Sequence, residues 1–135
     1  LAYILGNYLT SHWVHTRGES RMMGLGLVAA LSSLTLLLTL GVAGWHSPLA
    51  FALPLLLLGL GHGFLNPPAL AGTVGVVPAL AGSAAAVAGL MQQLMGAAGG
   101  YVVGLVSHQG AVNLGWLMLA FTLCSALAFA LLQRR

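Results

Sequence analysis

Long runs of apolar residues, separated by short polar or turn-forming clusters, dominate the sequence. The apolar residues are continuous and do not alternate with polar ones, so the pattern favours helices over half-buried strands. Each run approaches the ~20 residues that a helix needs to cross a ~30 Å hydrocarbon core. The pattern therefore predicts an all-α protein that crosses a membrane four times. The predicted spans are residues 22–44, 49–72, 80–106 and 111–133.

Three breaks separate these spans. Ser47 followed by Pro48 is typical of a helix start, because serine caps the first turn and proline has no N–H group to leave unpaired there. Glycine and proline in residues 73–78 mark the second break, and the polar segment 107–110 marks the third. The breaks predict short connections between neighbouring helices.

The composition indicates that the solvent of this chain is membrane lipid. Hydrophobic residues make up 59% of the chain and charged residues only 4%, against roughly one quarter charged residues in soluble domains. Residues 22–133 contain no Asp, Glu, Lys or Arg. Because an unpaired backbone group is costly in hydrocarbon, such a chain is expected to form a polytopic helix bundle.

The charged residues predict the orientation of the bundle. Arg17 and Arg21 precede the first complete span, and Arg134 and Arg135 follow the last. Four crossings return the chain to its starting side, which the positive-inside rule makes the cytoplasmic side. We expect residues 15–21 to form a cytoplasmic loop of a multi-pass protein in a cell membrane, most simply a bacterial inner membrane, with a cytoplasmic C-terminus.

Residues 1–14 are apolar and compatible with a helix, yet they reach only ~21 Å at 1.5 Å per residue, which is short of a crossing. A signal peptide is the competing interpretation, but its positive charge should precede the apolar segment, and here the arginines follow it. We interpret residues 1–14 as the end of a truncated fifth helix. The chain is then expected to be the C-terminal piece of a longer protein.

Two stretches of the sequence resemble a transporter family. The first, LGNYLTSHWVHTRGESRMMGLGL with Gly18 at the centre of its basic loop, resembles the eighth helix, loop and ninth helix of major facilitator superfamily transporters. The second, residues 59–104, is similar to the tenth and eleventh helices of the drug:proton antiporter branch, especially bicyclomycin- and chloramphenicol-resistance-like exporters.

This resemblance covers essentially the whole chain, and it implies a twelve-helix fold in which residues 1–135 supply part of the C-terminal half of the transport cavity. It further implies efflux of small drugs or metabolites in exchange for protons. The partners would be a small-molecule substrate, protons and the missing N-terminal portion of the same transporter.

Small residues recur at helical spacing in two spans. Gly96, Gly100 and Gly104 follow one another every four residues, and Gly59 and Gly63 have the same spacing. Helices in lipid associate by close packing, which small residues permit. These glycines are therefore predicted to form helix-packing surfaces, with a hinge or sliding surface for alternating access as the other interpretation.

Prolines are expected to disturb the second span. Pro54, Pro67 and Pro68 each lack the N–H group that a helix interior needs, so they should bend or interrupt the helix. Broken helices line the cavities of many transporters, although prolines also occur in membrane helices without any transport role.

Four polar side chains inside the spans are candidates for the cavity. His62, Gln92 and Gln93 lie near the middle of the membrane when counted at ~1.5 Å per residue, and Asn66 lies nearer the inner face. Each must find a polar partner or water at that depth. Gln92 is the main candidate, because Gln93 lies about 100° around the helix. An interhelical hydrogen bond without substrate contact is the alternative for Gln92, and for His62 it is the alternative to a substrate or proton-handling site.

Other chemistry has little support in the sequence. Cys124 is the single cysteine, the five histidines lack metal-ligand spacing, and no lysine is available for a phosphate-binding loop. We therefore expect no catalytic residues, metal, cofactor or nucleic-acid partner, and no enzymatic activity. The rival to a transporter fragment is a free-standing four-helix membrane protein, either a small multidrug exporter or a structural subunit. An exporter of that kind would need an acidic group in the membrane, and residues 22–133 have none.

Overall fold

A computed structural model describes residues 1–45, 47–105 and 111–133. Within these ranges the chain forms five α-helices, one short 3₁₀-helix and no strand, which confirms the predicted all-α class. The α-helices are α1 (Ala2–Arg17), α2 (Glu19–Val42), α3 (Pro48–Gly75), α4 (Ala81–Leu105) and α5 (Ala111–Gln133), with the 3₁₀-helix Pro78–Leu80 before α4.

Three of the helices are long and apolar enough to cross a membrane, which supports the interpretation of the chain as a membrane protein. They are Glu19–Val42, Pro48–Gly75 and Val112–Gln133. Helix α4 has 25 residues and is long enough, but two adjacent glutamines and many Ala and Gly residues lower its hydropathy. A crossing by α4, and hence the four-span count, stays a prediction.

The connection between α1 and α2 is much shorter than the predicted loop over residues 15–21. Helix α1 continues through Arg17 and α2 begins at Glu19, so Gly18 alone links the two helices. The prediction was wrong here because Gly18 has a φ of 81°, a conformation that suits glycine and reverses the chain within one residue. The guanidinium of Arg17 lies 4.9 Å above the ring of Trp13, which orders the last turn of α1.

The start of α3 follows the sequence prediction. The Ser47 hydroxyl accepts a hydrogen bond from the backbone N–H of Ala50, at 3.2 Å, and Pro48 is the first helical residue. This cap satisfies one of the donors that every helix leaves unpaired at its N-terminus. The helix then runs to Gly75, three residues beyond the predicted end of the span at residue 72.

The prolines of α3 do not interrupt it. The helix is continuous through Pro54, Pro67 and Pro68, and for Pro67 a neighbouring helix supplies a partner for the carbonyl that the proline leaves without its donor. Pro67 has no N–H to donate to the carbonyl of Gly63, four residues earlier, and the Thr10 hydroxyl lies 3.0 Å from that oxygen. The buried hydroxyl of Ser33 donates to the carbonyl of Pro54 itself, at 2.5 Å, and so links α2 to α3.

Helices α1 and α3 cross in backbone contact at Gly6 and Gly63. A Cβ atom added to Gly63 would lie 2.7 Å from the Gly6 Cα and 2.7 Å from the Tyr3 carbonyl oxygen. Only residues without a side chain allow this approach, which is how helices pack closely in lipid. The predicted partner position Gly59 is looser, because a Cβ there would be 3.5 Å from the Ala2 Cβ.

Helices α2 and α3 cross at a second glycine pair. A Cβ added to Gly26 would lie 2.7 Å from the Gly61 carbonyl oxygen, and a Cβ on Gly61 would lie 2.9 Å from the Gly26 carbonyl oxygen. Gly61 and Gly63 are two residues apart and therefore point to opposite sides of α3. Helix α3 is thus held between α1 and α2 by one glycine contact on each side.

Helix α5 packs on α2 and completes the small core. Ala30, Leu34 and Leu58 form the buried centre of this core, against which Met118 and Leu119 of α5 pack. The core is almost entirely aliphatic, so its helices are held by shape complementarity and dispersion.

Helix α5 runs antiparallel to α2. A Cβ at Gly41 would lie 3.3 Å from Val112 Cγ2, and a Cβ at Gly24 would lie 3.9 Å from Phe129 Cε1. The start of α5 is therefore beside the end of α2, and the end of α5 is beside the start of α2. Arg17 and Arg21 lie at the same end of the bundle as the last turns of α5.

Helix α4 contacts the C-terminal part of α3 and has no buried residue. A Cβ added to Gly96, Gly100 or Gly104 would meet no atom within 4 Å. Within the part of the chain that the structure describes, this glycine stripe has no packing partner. Its predicted packing or hinge role stays a prediction.

Candidate functional site

A groove of about 360 Å³ lies between α3 and α5, above α2. Its polar lining comes from His62 and Asn66 of α3 and from Thr122 and Ser125 of α5. Its apolar lining includes Leu27 and Ala30 of α2, Leu65 of α3 and Phe121 of α5. The groove therefore joins two of the predicted cavity residues to two polar residues from a different helix.

The groove lies at the centre of α3. His62 is about 21 Å from Pro48 and about 20 Å from Gly75 at 1.5 Å per residue, so it is close to the midpoint of the helix. Asn66 follows one turn later and shares the same helical face. The only charged residues of the described chain are Arg17, Glu19 and Arg21 at one end of the bundle, and none of the lining residues carries a formal charge with His62 neutral.

The polar side chains of the groove differ in how far they are already paired. The Thr122 hydroxyl donates to the carbonyl of Met118 in its own helix, at 2.8 Å. The Asn66 amide nitrogen is 3.5 Å from the Tyr3 hydroxyl, which is at the outer limit for a hydrogen bond. His62 and Ser125 make no hydrogen bond with any described residue. These two are therefore the groups most available to a ligand.

Polar side chains of α1 lie at the α1–α3 interface, where Asn66 of the groove meets them. Asn66 reaches from the groove to Tyr3 of α1, and the side chain of Asn7 lies one turn further along α1. The Asn7 Oδ1 atom is buried and has no hydrogen-bond partner among the described residues. An unpaired buried acceptor costs roughly 1–3 kcal/mol. Hydrogen bonds between side chains therefore do not by themselves hold α1 against α3. The backbone contact of Gly6 with Gly63 supplies the close packing there.

The structure does not bring Gln92 and Gln93 to this groove. Both side chains are exposed on α4 and neither lines it. Their neighbour Met91 lines a separate apolar groove of about 620 Å³, together with Thr73 near the end of α3, Val77 of the α3–α4 connection and Val87 of α4. The cavity role predicted for the two glutamines is therefore a separate hypothesis from the groove at His62.

The predicted loop residues lie together at one end of the bundle. Arg17, Gly18 and Arg21 are all exposed. The end of α3 reaches the same region, since a Cβ on Gly72 would lie 3.7 Å from the carboxylate oxygen Oε2 of Glu19. The positively charged end of the described chain thus contains the α1–α2 junction and the last turns of α3 and α5.

Sequence reasoning missed Thr122 and Ser125. They are three residues apart in a mostly apolar helix, and this spacing places them on one face. A search for paired polar residues at helical spacing could have found them. Their proximity to His62 and Asn66, however, depends on how α3 and α5 pack. Such packing between distant segments cannot be recognised from local patterns in a single sequence.

Metal binding has no support in the described residues. No group of three or more His, Cys, Asp or Glu side chains comes together there. Cys124 is an exposed free thiol on α5.

No protein-family model, curated protein or solved structure matches the chain significantly. The features that bear on function are therefore the membrane-type helices, the glycine crossings and the groove at His62.

Proposed function

We propose that this chain is part of a small-molecule membrane transporter of the major facilitator type, and that the groove at His62 and Asn66 belongs to its substrate pathway. The observation that carries this proposal is the position of these two polar side chains. His62 lies near the midpoint of α3, an apolar helix long enough to cross a membrane, and Asn66 lies one turn further along. Both line a groove without being fully paired. Polar groups at that depth are typical of substrate or ion pathways.

The packing of the bundle supports the same proposal. Helix α3 is clamped on both sides by glycine contacts, at Gly61 and at Gly63, so it acts as a central element of the fold. Helix α4 buries no residue, and a Cβ added to any of its glycines would meet no atom of the described chain within 4 Å. A stripe of this kind is suited to pack against further helices in a larger bundle. By the resemblance, α1 to α5 would correspond to helices eight to twelve of such a transporter.

Proton-coupled efflux of drugs or metabolites is the transport mode that the resemblance implies. Residues 22–133 have no carboxylate, so an acidic coupling group would have to lie elsewhere in the complete transporter. His62 is the titratable side chain that lines the groove in the described chain. In this proposal the described helices mainly supply substrate contacts, and the remaining helices supply proton coupling.

The proposed location is a bacterial inner membrane with the arginine-bearing end of the bundle in the cytoplasm. The antiparallel pairing of α2 and α5 supports this arrangement, because it brings the end of α5 beside Arg17 and Arg21. With Arg134 and Arg135 following α5 in the sequence, the positive charge is concentrated at one end. The C-terminus is then cytoplasmic.

Transport by the complete gene product tests the proposal. Inverted membrane vesicles are energised, the proton gradient is followed with a pH-sensitive dye, and candidate drugs are added one at a time. We expect at least one drug to dissipate the gradient saturably. We expect His62→Ala and Asn66→Ala to raise the half-saturation concentration for that drug, because the substrate binds more weakly. The absence of saturable flux for every drug would contradict the proposal.

A transport measurement on the 135-residue chain alone distinguishes a transporter fragment from a free-standing membrane protein. A facilitator cavity forms between two halves of the fold, so this chain is expected to give no saturable transport after reconstitution. Saturable flux from the purified 135-residue chain would instead favour a small exporter that acts as an oligomer.

A further inference from the structure

Eight of the twelve Ser and Thr hydroxyls in the described α-helices donate to a carbonyl of their own helix. Ser32 donates to the carbonyl of Ala29 at 3.0 Å, and Thr35 donates to the carbonyl of Leu31 at 2.8 Å. Thr122 does the same toward Met118 within the groove itself. This backward hydrogen bond is the usual way to satisfy a hydroxyl where water is scarce.

Ser125 is one of the four that do not, with Ser20, Ser33 and Ser83, and of these four only Ser125 lines the groove at His62. It lines the groove, and its hydroxyl makes no hydrogen bond with the described residues. His62 lines the groove from α3, and its imidazole is also unpaired in the described chain. A neutral imidazole offers one donor and one acceptor, and a hydroxyl offers one donor and two acceptor lone pairs. The groove thus presents two uncommitted polar groups from different helices.

We infer that the groove is a binding site for an uncharged small molecule whose amide or hydroxyl group bonds to Ser125 and His62 while its apolar body lies on Leu27, Ala30 and Phe121. This inference rests on the proposed transport function and names the substrate class for the same site. Ser125 is then a specificity-determining residue that contacts the substrate directly.

The absence of charge in the lining restricts the ligand class. None of the residues that line the groove is Asp, Glu, Lys or Arg, so a permanently charged ligand would lose its hydration without gaining a counter-ion. A purely apolar ligand would leave the Ser125 and His62 groups unpaired. The groove of about 360 Å³ falls at the lower end of the ~300–1,000 Å³ that small-molecule sites occupy, so the ligand should be compact.

A matched set of naphthalene probes tests this inference. The complete gene product is placed in lipid nanodiscs, and binding is measured by equilibrium dialysis after subtraction of empty nanodiscs. The probes are 2-naphthamide, 2-naphthoate, 2-(aminomethyl)naphthalene and 2-methylnaphthalene, which share one ring system and differ in charge and polarity. We expect saturable binding of 2-naphthamide at least about tenfold tighter than that of the other three.

Two serine variants identify the contact. Ser125→Ala should weaken 2-naphthamide binding about tenfold and leave 2-methylnaphthalene binding unchanged, because only the amide probe uses the hydroxyl. Ser32→Ala is the matched control, since Ser32 is an exposed hydroxyl that is already bonded to its own helix. His62→Leu should weaken the amide probe by a similar factor and should not change the amount of folded protein.

Each outcome of these measurements decides the inference. Equal or tighter binding of the naphthoate or the ammonium probe would overturn the assignment to an uncharged ligand. Equal effects of Ser125→Ala and Ser32→Ala, or equal loss for the amide and the methyl probe, would overturn the role of Ser125. Selective amide binding without any flux in vesicles would support the site and contradict only the transport function.

Discussion

The Thr10 hydroxyl oxygen lies 3.0 Å from the carbonyl oxygen of Gly63, across the crossing of α1 and α3. This carbonyl would ordinarily accept from the N–H of residue 67, which is a proline. The same hydroxyl is 2.9 Å from the Gly6 carbonyl in its own helix, so its single hydrogen is shared between the two carbonyl oxygens. A proline in one helix is therefore tolerated because a threonine in another lies opposite the exposed carbonyl.

We expect Thr10→Val to destabilise the protein by about 0.5–1.5 kcal/mol, because it keeps the shape of the side chain and leaves the Gly63 carbonyl without a donor. The cost should shrink in a Pro67→Ala background, since alanine restores an N–H that can reach Gly63. The measurement is a double-mutant cycle of unfolding in detergent micelles, followed by tryptophan fluorescence.

Thr16→Val is the control for this cycle. Thr16 is an exposed threonine on the same helix, and its hydroxyl donates only to the carbonyl of Trp13, at 3.0 Å. Its replacement should change the free energy of unfolding by little, with or without Pro67→Ala. If Thr10→Val costs the same in both backgrounds, the hydroxyl does not substitute for the missing proline N–H.

A second prediction concerns the glycine crossing. Gly63→Ala should destabilise the protein by roughly 1–3 kcal/mol, because the new Cβ would lie 2.7 Å from backbone atoms of Gly6 and Tyr3, which can only yield if α1 and α3 separate. The loss should appear as a lower thermal unfolding midpoint of the purified protein in detergent.

Gly96→Ala is the matched substitution at an open position, where a Cβ would meet nothing within 4 Å. It should be neutral or slightly stabilising, because alanine favours the helix. If Gly96→Ala instead lowers the stability of the complete gene product as much as Gly63→Ala, then α4 packs against a helix outside the described residues through this glycine stripe.

The sequence predicted the helices well because helix-forming signals are local. Ser47 and Pro48 set the start of α3 through the first turn alone, and the apolar runs set the approximate length of each helix. The predicted loop over residues 15–21 is too long, because charged residues indicate the membrane surface and do not by themselves end a helix. In the structure they extend the helices, and the positive φ of Gly18 makes the turn.

The groove was only half predictable. The spacing of His62 and Asn66 places them on one face of α3, and the sequence shows this directly. Ser125 joins them only because α5 packs on α2, which depends on contacts such as Gly115 against Leu38. The continuity of α3 through Pro67 likewise depends on Thr10, a residue in another helix.

A third prediction concerns topology. Single cysteines near Gly18 and after Gln133 should react with a membrane-impermeant thiol reagent from the cytoplasmic side, and cysteines near His46 and Gln109 should react from outside, although His46 and Gln109 fall outside the described residues. The native thiol of Cys124 must first be replaced, because it is exposed. Labelling of the two ends from opposite sides would mean an odd number of crossings.

The last prediction concerns Gln92 in the complete gene product. Its side chain is exposed on α4 in the described chain, so any partner must come from a substrate or from another helix. If it contacts substrate, Gln92→Ala should weaken apparent affinity about ten- to a hundredfold, because a substrate polar group left unpaired in a dry cavity costs roughly 1–3 kcal/mol. The amount of folded protein should hardly change, since a membrane-buried side-chain hydrogen bond averages only ~0.6 kcal/mol.

Gln93→Ala is the internal control, because Gln93 is equally exposed but points about 100° away around the same helix. Half-saturation concentrations from vesicle transport, with membrane expression measured in parallel, compare the two variants. A larger effect at Gln92 would place a substrate contact on α4 in addition to the groove at His62. Equal effects, or a loss of expression that accounts for the whole transport defect, would leave Gln92 with a helix-packing role only.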